Sequence, residues 1–272
     1  DLDRTLLPNG REPESPNARA RFAEVAGHPS VDLAYVSGRH QELVRQAIED
    51  YGIPRPDWVI GDVGTTIYQV SPEGWLPWPQ WQEEIARDWS GSTATEVHGL
   101  LQHISNLQLQ EAEKQNRYKL SYYLSLEADV AQLQREIKHC LSRHQLHSSL
   151  IFSVDEAAGM GLLDVLPKAA NKLHAIRYLM RHRSFTGANT VFAGDSGNDL
   201  PVLVSSIPSI LVANAHRDVV QEAFDTAFRE NTLPYLYHAQ GGFMGMNGNY
   251  SAGILEGFHH YHPDATVWGD LH

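Results

Sequence analysis

One cysteine, Cys140, stands in a chain of 272 residues. No internal disulfide can form, so packing must hold the fold. Such poverty in cysteine fits a reducing cytoplasm, the expected location. Positive charge is also short: 21 Lys and Arg face 33 Asp and Glu, for a formal net charge of -12 at pH 7. The basic residues are scattered, which argues against a nucleic-acid surface and against an anionic membrane. No apolar run approaches the ~18 residues of a membrane span. No secretory leader pattern opens the sequence, and no repeat or low-complexity tract interrupts it. Histidine is frequent, at 15, but without cysteines or short repeated spacing it does not read as a zinc site. A small anionic ligand stays compatible with this acidity, because local Lys, Arg and a divalent cation outweigh the global field.

What is present centres on Gly194-Asp195-Ser196-Gly197-Asn198-Asp199. The run Thr190-Val191-Phe192-Ala193 before it reads as a buried strand. The carboxylates then fall at the carboxyl edge of a sheet, where open α/β folds keep their ligands. Asp195 and Asp199 suit a hard cation; alone, they read equally well as a helix start, with Asp195 or Asn198 as N-cap. Asp1-Leu2-Asp3-Arg4-Thr5 repeats the pattern of paired carboxylates, although by itself it could be a solvated turn. Between these stretches lie Val36-Ser37-Gly38-Arg39 and Asn171-Lys172.

The elements alternate. Ser15-Pro16 starts a helix that Gly27 stops. Val31 to Val36 reads as a strand, Gln41 to Tyr51 as a helix, Trp58 to Ile60 as a strand, and Gly61 to Tyr68 as strand, tight turn, strand. This order predicts a parallel sheet with helices on both faces. Near Ser71 the composition shifts. Pro72, Gly74, Pro77 and Pro79 cluster with Trp75, Trp78 and Trp81, a loop whose tryptophans seal a domain junction. Beyond it the sequence predicts a helix over Thr95–Leu107, a tyrosine-rich strand over Tyr118–Ser125, a helix over Ala128–Leu141, and strands at Leu150–Val154 and Leu162–Leu166. Asn171 then caps a helix to Arg183. A strand at Ser209–Val212, a helix at Val219–Phe228, glycine-rich Gly241–Gly248 and a helix at Ser251–Tyr261 follow. The expected architecture is a Rossmann-like core of residues 1–72 and 166–272 with a smaller inserted α/β cap of residues 73–165.

Asp-x-Asp-x-Thr, Ser-Gly-Arg, Asn-Lys and Gly-Asp-Ser-Gly-Asn-Asp, in that order, resemble the haloacid dehalogenase superfamily of phosphatases, in its branch with α/β caps. Further stretches look like sucrose-phosphate phosphatases: Gly64 with Ile67-Tyr68, Tyr118-Lys119-Leu120-Ser121-Tyr122, Asp164-Val165-Leu166-Pro167, Asn214-Ala215, Tyr237-His238-Ala239-Gln240 and Ala252-Gly253-Ile254-Leu255-Glu256. The likeness covers most of the chain. Asp88 to Gln115 matches nothing, Leu173 stands where the family has glycine, and Gly241 to Asn249 looks like an insertion.

The resemblance implies roles. Asp1 is the nucleophile, and Asp3 the general acid and base, with a raised pKa. Mg²⁺ is held by Asp1, the carbonyl of Asp3, Asp195 and Asp199. Ser37, with Gly38 and Arg39, binds the phosphoryl group; Lys172 neutralises it and orients Asp1. Thr5, Ser196 and Asn198 support them. Gly64, Lys119, Asp164, Asn214 and Gln240 face the sugar. Plainer readings stand beside these: Ser37 as a strand-end residue, Lys168 in place of Lys172, Lys119 as a solvated strand residue, and Asp164 as a cap of the Pro167 turn. A superfamily member also has an apolar strand before its nucleophile, so residues upstream of Asp1 are expected. The implied activity is Mg²⁺-dependent hydrolysis of a phosphorylated disaccharide, foremost sucrose 6-phosphate to sucrose and phosphate through an aspartyl-phosphate. Alternatives are mannosylfructose phosphate or a glycosyl-glycerate phosphate as substrate, a phosphosugar mutase, and a non-catalytic phosphosugar-binding domain of a sucrose-phosphate synthase. Such a synthase is the expected protein partner.

Overall fold

The computed structural model describes residues 1–155 and 158–269. Helix α1 (Ala18–Ala26) opens at Asn17, in the left-handed region, and ends at Gly27. It starts later than Ser15-Pro16 suggests, because the Ser15 hydroxyl accepts the Asn247 N–H, far along the chain. Strand β1 (Ala34–Val36) is likewise shorter than expected. Val31 N bonds back to His28 O, and Leu33 N donates to the Asp57 carboxylate. Helix α2 (Gln41–Tyr51) buries Val44 and Ala47 and ends on Gly52 in the left-handed region, the usual solution for the last carbonyls of a helix.

Strand β2 (Trp58–Gly61) runs parallel to β1. Strands β3 (Thr66–Ser71) and β4 (Gly74–Pro77) then continue the sheet antiparallel. Strand β4 and helix α3 (Pro79–Ala86) replace the loop expected there. Pro79 pre-sets the first turn of α3, where its missing N–H costs nothing. Helix α4 (Ala94–Leu101) carries a capping box of Thr93 and Glu96 and stops short of the expected Leu107. Strands β5 (Gln108–Leu109), β6 (Leu120–Leu124), β7 (Ser148–Asp155) and β8 (Met160–Pro167), with α5 (Val130–Arg143) between β6 and β7, form an antiparallel sheet in the order β5-β6-β8-β7. Its apolar face packs on α4 and α5 through residues such as Tyr122, Leu163, Val97 and Ile137. The expected boundaries at 72/73 and 165/166 thus fall inside the β3–β4 hairpin and inside β8, since pairing carries the first sheet to Pro77 and the second to Pro167.

Asn171 caps α6 (Lys172–Arg183) by accepting from His174 N. Strand β9 (Phe192–Gly194), short α7 (Leu200–Leu203), strand β10 (Ser209–Leu211), α8 (Arg217–Arg229), strand β11 (Leu236–His238) and α9 (Ser251–Tyr261) complete the order. Strands β11, β10 and β9 are parallel neighbours in that sequence. An apolar slot of about 410 Å³, lined by Val36, Ile60, Leu179 and Phe192 among others, separates β1 from β9. At its end the Asp1 backbone nitrogen donates to Ala193 O at 2.7 Å, which sets Asp1 beside β9.

Trp78 and Trp81 join one apolar cluster, whereas Trp75 packs on Tyr68 in the other. Trp81 is fully buried, and its indole donates to Gly64 O at 3.0 Å. Trp78 packs on Trp58, Tyr178 and His182 at ring separations of 5.2, 5.5 and 5.4 Å. A buried tryptophan removes on the order of 200 Å² from water, roughly 5 kcal/mol before entropy. One apolar cluster therefore runs unbroken from Leu133 and Ile137 through Trp81 to Tyr178 and Leu179. Among the described residues no helix is long and apolar enough to cross a membrane.

Candidate active site

Loops from the carboxyl edges of β1, β2, β9 and β10 converge with residues 1–5 and the start of α6. Carboxylate oxygens of Asp1, Asp195 and Asp199 all lie within 4.8 Å of one another. Lys172 Nζ donates to Asp1 Oδ1 at 3.0 Å and to Asp199 Oδ1 at 2.7 Å. Lys168, its rival, is exposed, and its backbone bonds to His147 instead. The second oxygen of Asp199 accepts Asp195 N at 3.2 Å, Ser196 N at 3.2 Å and Ser196 Oγ at 3.1 Å. Asp199 is thus drawn so close to β9 that a Cβ on Gly194 would sit 2.7 Å from its side chain, which is why glycine ends that strand.

Asp195 receives Thr5 Oγ1 and Arg4 Nε, each at 3.2 Å. Burial raises its pKa from 3.8 to about 6, and the Asp199 charge adds to this against the pull of Arg4. Burial is the largest influence on Asp199 and pushes it upward, but the opposing charges and hydrogen bonds, the Lys172 ammonium foremost, together hold it low. The set fits a hard divalent cation on two grounds: every donor is a carboxylate oxygen, and Asp195 is short of positive charge.

Asp3 departs from expectation. Its carboxylate takes Arg39 Nε at 2.9 Å, Arg39 Nη2 at 2.6 Å and Asn9 Nδ2 at 2.7 Å. Burial alone would raise its pKa, but the Arg39 and Asn9 bonds prevail and hold it below the ordinary carboxylate value. The raised pKa expected for a general acid is therefore absent here, because a bidentate guanidinium favours the ionised form. Arg39, expected on the substrate, lies on Asp3.

Ser37 is fully buried. Its N–H bonds Ile60 O, its carbonyl accepts Val63 N, and its hydroxyl accepts Arg39 N at 3.2 Å. Gly38 and Asn198 are exposed on their loops. Gly64, at φ 96°, lies so close to α6 that a Cβ would sit 2.6 Å from Asn171 C. In the smaller unit, Lys119 Nζ lies 3.7 Å from Asp62 Oδ1 and donates to Lys114 O at 3.1 Å. Asp164 accepts the Ser121 hydroxyl across the β6–β8 pair, within a strand and not at the Pro167 turn. Asn214 is buried between loops: Nδ2 donates to Arg4 O at 2.6 Å and Oδ1 accepts Tyr250 N at 2.8 Å. Its amide ties residues 1–5 to Tyr250, just before α9. Gln240 is exposed; its side chain donates to His238, and its N–H bonds the buried Glu256 carboxylate at 2.7 Å.

Sequence reasoning missed Arg4, Asn9 and Asp62. Asn9 carried a signal in Asn9-Gly10, a turn that returns the chain over Asp3. Asp62 carried another: it follows a strand at the same sheet edge as Ser37.

The model of the sucrose-6F-phosphate phosphohydrolase family matches residues 1–262. A HAD-like hydrolase of Nitrosococcus oceani is 53% identical over 98% of this chain and 72% of its own length. The glucosylglycerol-phosphate synthase of Pseudomonas anguilliseptica is 27% identical over 96% of this chain, which spans only 30% of that protein. The solved sucrose-phosphatase of Synechocystis, in complex with sucrose and phosphate, superposes with a TM-score of 0.71 at 25% identity, covering 95% of this chain and 94% of that one. With the family model spanning all three sheets and every loop of the site, the chain belongs to the sucrose-6F-phosphate phosphohydrolase family of sugar-phosphate phosphatases.

Proposed function

We propose that this protein hydrolyses sucrose 6-phosphate, with Asp1 as nucleophile and residues 78–167 acting as the cap over the sugar. The observation that carries the reading is the Lys172 ammonium, shared between Asp1 and Asp199 with Asp195 in reach. It orients Asp1 beside a site for a dianion. Asp1, Asp195 and Asp199 would hold Mg²⁺, aided by the Asp3 carbonyl. When bound, that ion supplies charge neutralisation for the phosphoryl oxygens.

An Asp1 oxygen forms a bond to phosphorus as the bond to the sugar oxygen breaks. Asp3 gives that oxygen its proton, and then takes one from the water that cleaves the aspartyl-phosphate and releases phosphate. The clamp on Asp3 sets a condition. Arg39 must leave Asp3 before it can carry a proton at neutral pH, and the phosphoryl group is the anion able to draw Arg39 away. Ser37, and Arg39 once released, then bind that group, while Lys119 and Asp164 of the cap meet the sugar hydroxyls.

Sucrose 6-phosphate is favoured by the family match and by the sucrose held in the Synechocystis enzyme. The likeness to nearly this whole chain within a glucosylglycerol-phosphate synthase favours a second reading, a glycosylated polyol or glycerate phosphate. Phosphate release from sucrose 6-phosphate, mannosylfructose phosphate, glucosylglycerol phosphate and glucose 6-phosphate, with and without Mg²⁺, tests both. A preference of about a hundredfold in kcat/KM, near 3 kcal/mol, names the substrate. Absence of release from all four would sink the phosphatase reading.

A further inference from the structure

Residues 62–65 join β2 to β3 through a turn held under strain. Asp62 and Val63 both lie in the left-handed region, at φ 50° and 61°. A β-branched residue persists there only when its surroundings enforce it, and such strain concentrates where it serves function. Here the enforcement has two sides. Toward the core, Asp62 N donates to Arg39 O at 3.0 Å and Val63 N to Ser37 O at 3.3 Å. Toward the cap, Lys119 Nζ faces Asp62 Oδ1 at 3.7 Å, Asn116 Nδ2 donates to Thr65 Oγ1 at 2.8 Å, and Trp81 Nε1 donates to Gly64 O at 3.0 Å. A single turn thus touches the Ser37–Arg39 loop on one side and three cap residues on the other.

The Asp62–Lys119 pair is shielded from water, at 4% and 8% exposure. Buried ion pairs are poor stabilisers compared with apolar contacts, so stability alone gives little reason for one here. Direction gives a better reason. Lys114 O accepts one of the three protons of the Lys119 ammonium, and Asp62 draws a second, which leaves a donor for another acceptor.

We propose that Asp62 is a positioning residue for sugar recognition: it fixes the Lys119 ammonium, and with it cap residues 110–119, over the loop that carries Ser37 and Arg39. This rests on the phosphosugar reading above. Asp62 touches no reacting atom; it acts through Lys119.

The test uses Asp62→Asn and Lys119→Met, singly and together, in the full-length protein. Asparagine tolerates the left-handed region well, so Asp62→Asn removes the charge and keeps the turn. Three results are expected. First, Asp62→Asn lowers kcat/KM for the preferred sugar phosphate about tenfold more than for p-nitrophenyl phosphate, chiefly through KM. Second, adding it to Lys119→Met costs no more than about twofold further, because the two act as one unit. Third, amide hydrogen exchange across residues 110–119 quickens in both single variants. Equal losses on both substrates, independent effects, or unchanged exchange would each overturn the proposal. Exchange is read without substrate, which separates the two levels. If the sugar panel fails, the parent still exchanges slowly and the variants fast; if the clasp itself fails, all exchange alike.

Discussion

Arg39 holds both carboxylate oxygens of Asp3, at 2.9 and 2.6 Å. The pair joins residues from two loops that only the fold brings together. It favours the ionised form of Asp3, the proton donor proposed above, until something displaces the guanidinium. Shortening Arg39 to lysine removes the bidentate grip and keeps the charge. For Arg39→Lys the high-pH limb of the kcat/KM profile, which reports loss of the Asp3 proton, is expected to shift upward in pH, with kcat/KM down about tenfold from weaker phosphoryl binding. An unmoved limb would show that Arg39 does not govern Asp3.

On the proposed mechanism, Asp1→Asn replaces the attacking carboxylate by an amide of the same shape. Turnover is expected to fall by about ten thousandfold or more, with the circular dichroism spectrum unchanged and no phosphoenzyme trapped on acid quench. Near-normal turnover would take the role away from Asp1.

Lys172→Met strands two acidic side chains around a buried site. Lys172 meets Asp1 and Asp199 at 3.0 and 2.7 Å. Breaking a buried pair on one side costs about 3–5 kcal/mol, so chemical denaturation should show a loss of that order along with loss of activity. A divalent cation is expected to recover part of the stability, since it replaces the missing charge, but not the turnover.

Asp195 makes metal-free stability fall as pH rises. Its pKa goes from 3.8 to about 6, by burial first and by Asp199 second. A carboxyl raised in the folded state contributes stability below its unfolded pKa and loses it as pH climbs through the folded one. The difference is about 3 kcal/mol. In EDTA, the Asp195 contribution should therefore decline between about pH 4 and 6. Added Mg²⁺ should raise Tm at pH 7 more than at pH 5; an equal rise at both would remove Asp195 from the cation site.

Gly64→Ala puts a Cβ 2.6 Å from Asn171 C at a residue with φ 96°. Strain and clash together should cost about 2 kcal/mol or more, measured as a lower Tm. Turnover should drop as well, because α6 carries Lys172 directly beyond Asn171.

Much of this protein is legible without coordinates, for a local reason. The apolar spacing of α2 lies within a dozen residues, and so do Ser251 to Tyr261 of α9 and the Asn171 cap of α6. The acidic motifs around Asp1 and Asp195 were equally plain, since both keep characteristic spacing after or within a sheet edge. Strand β4 and helix α3 escaped because prolines and tryptophans read as loop, while pairing with β3 and burial of Trp81 make them regular. Three-residue β11 is too short for any periodicity and exists through its pairing with β10. The protonation of Asp3, the amide of Asn214 turned to loops on both sides, and the Asp62–Lys119 clasp were decided by tertiary structure alone. Charge, solvation and backbone strain depend on which distant groups arrive alongside, and linear sequence does not carry that distance.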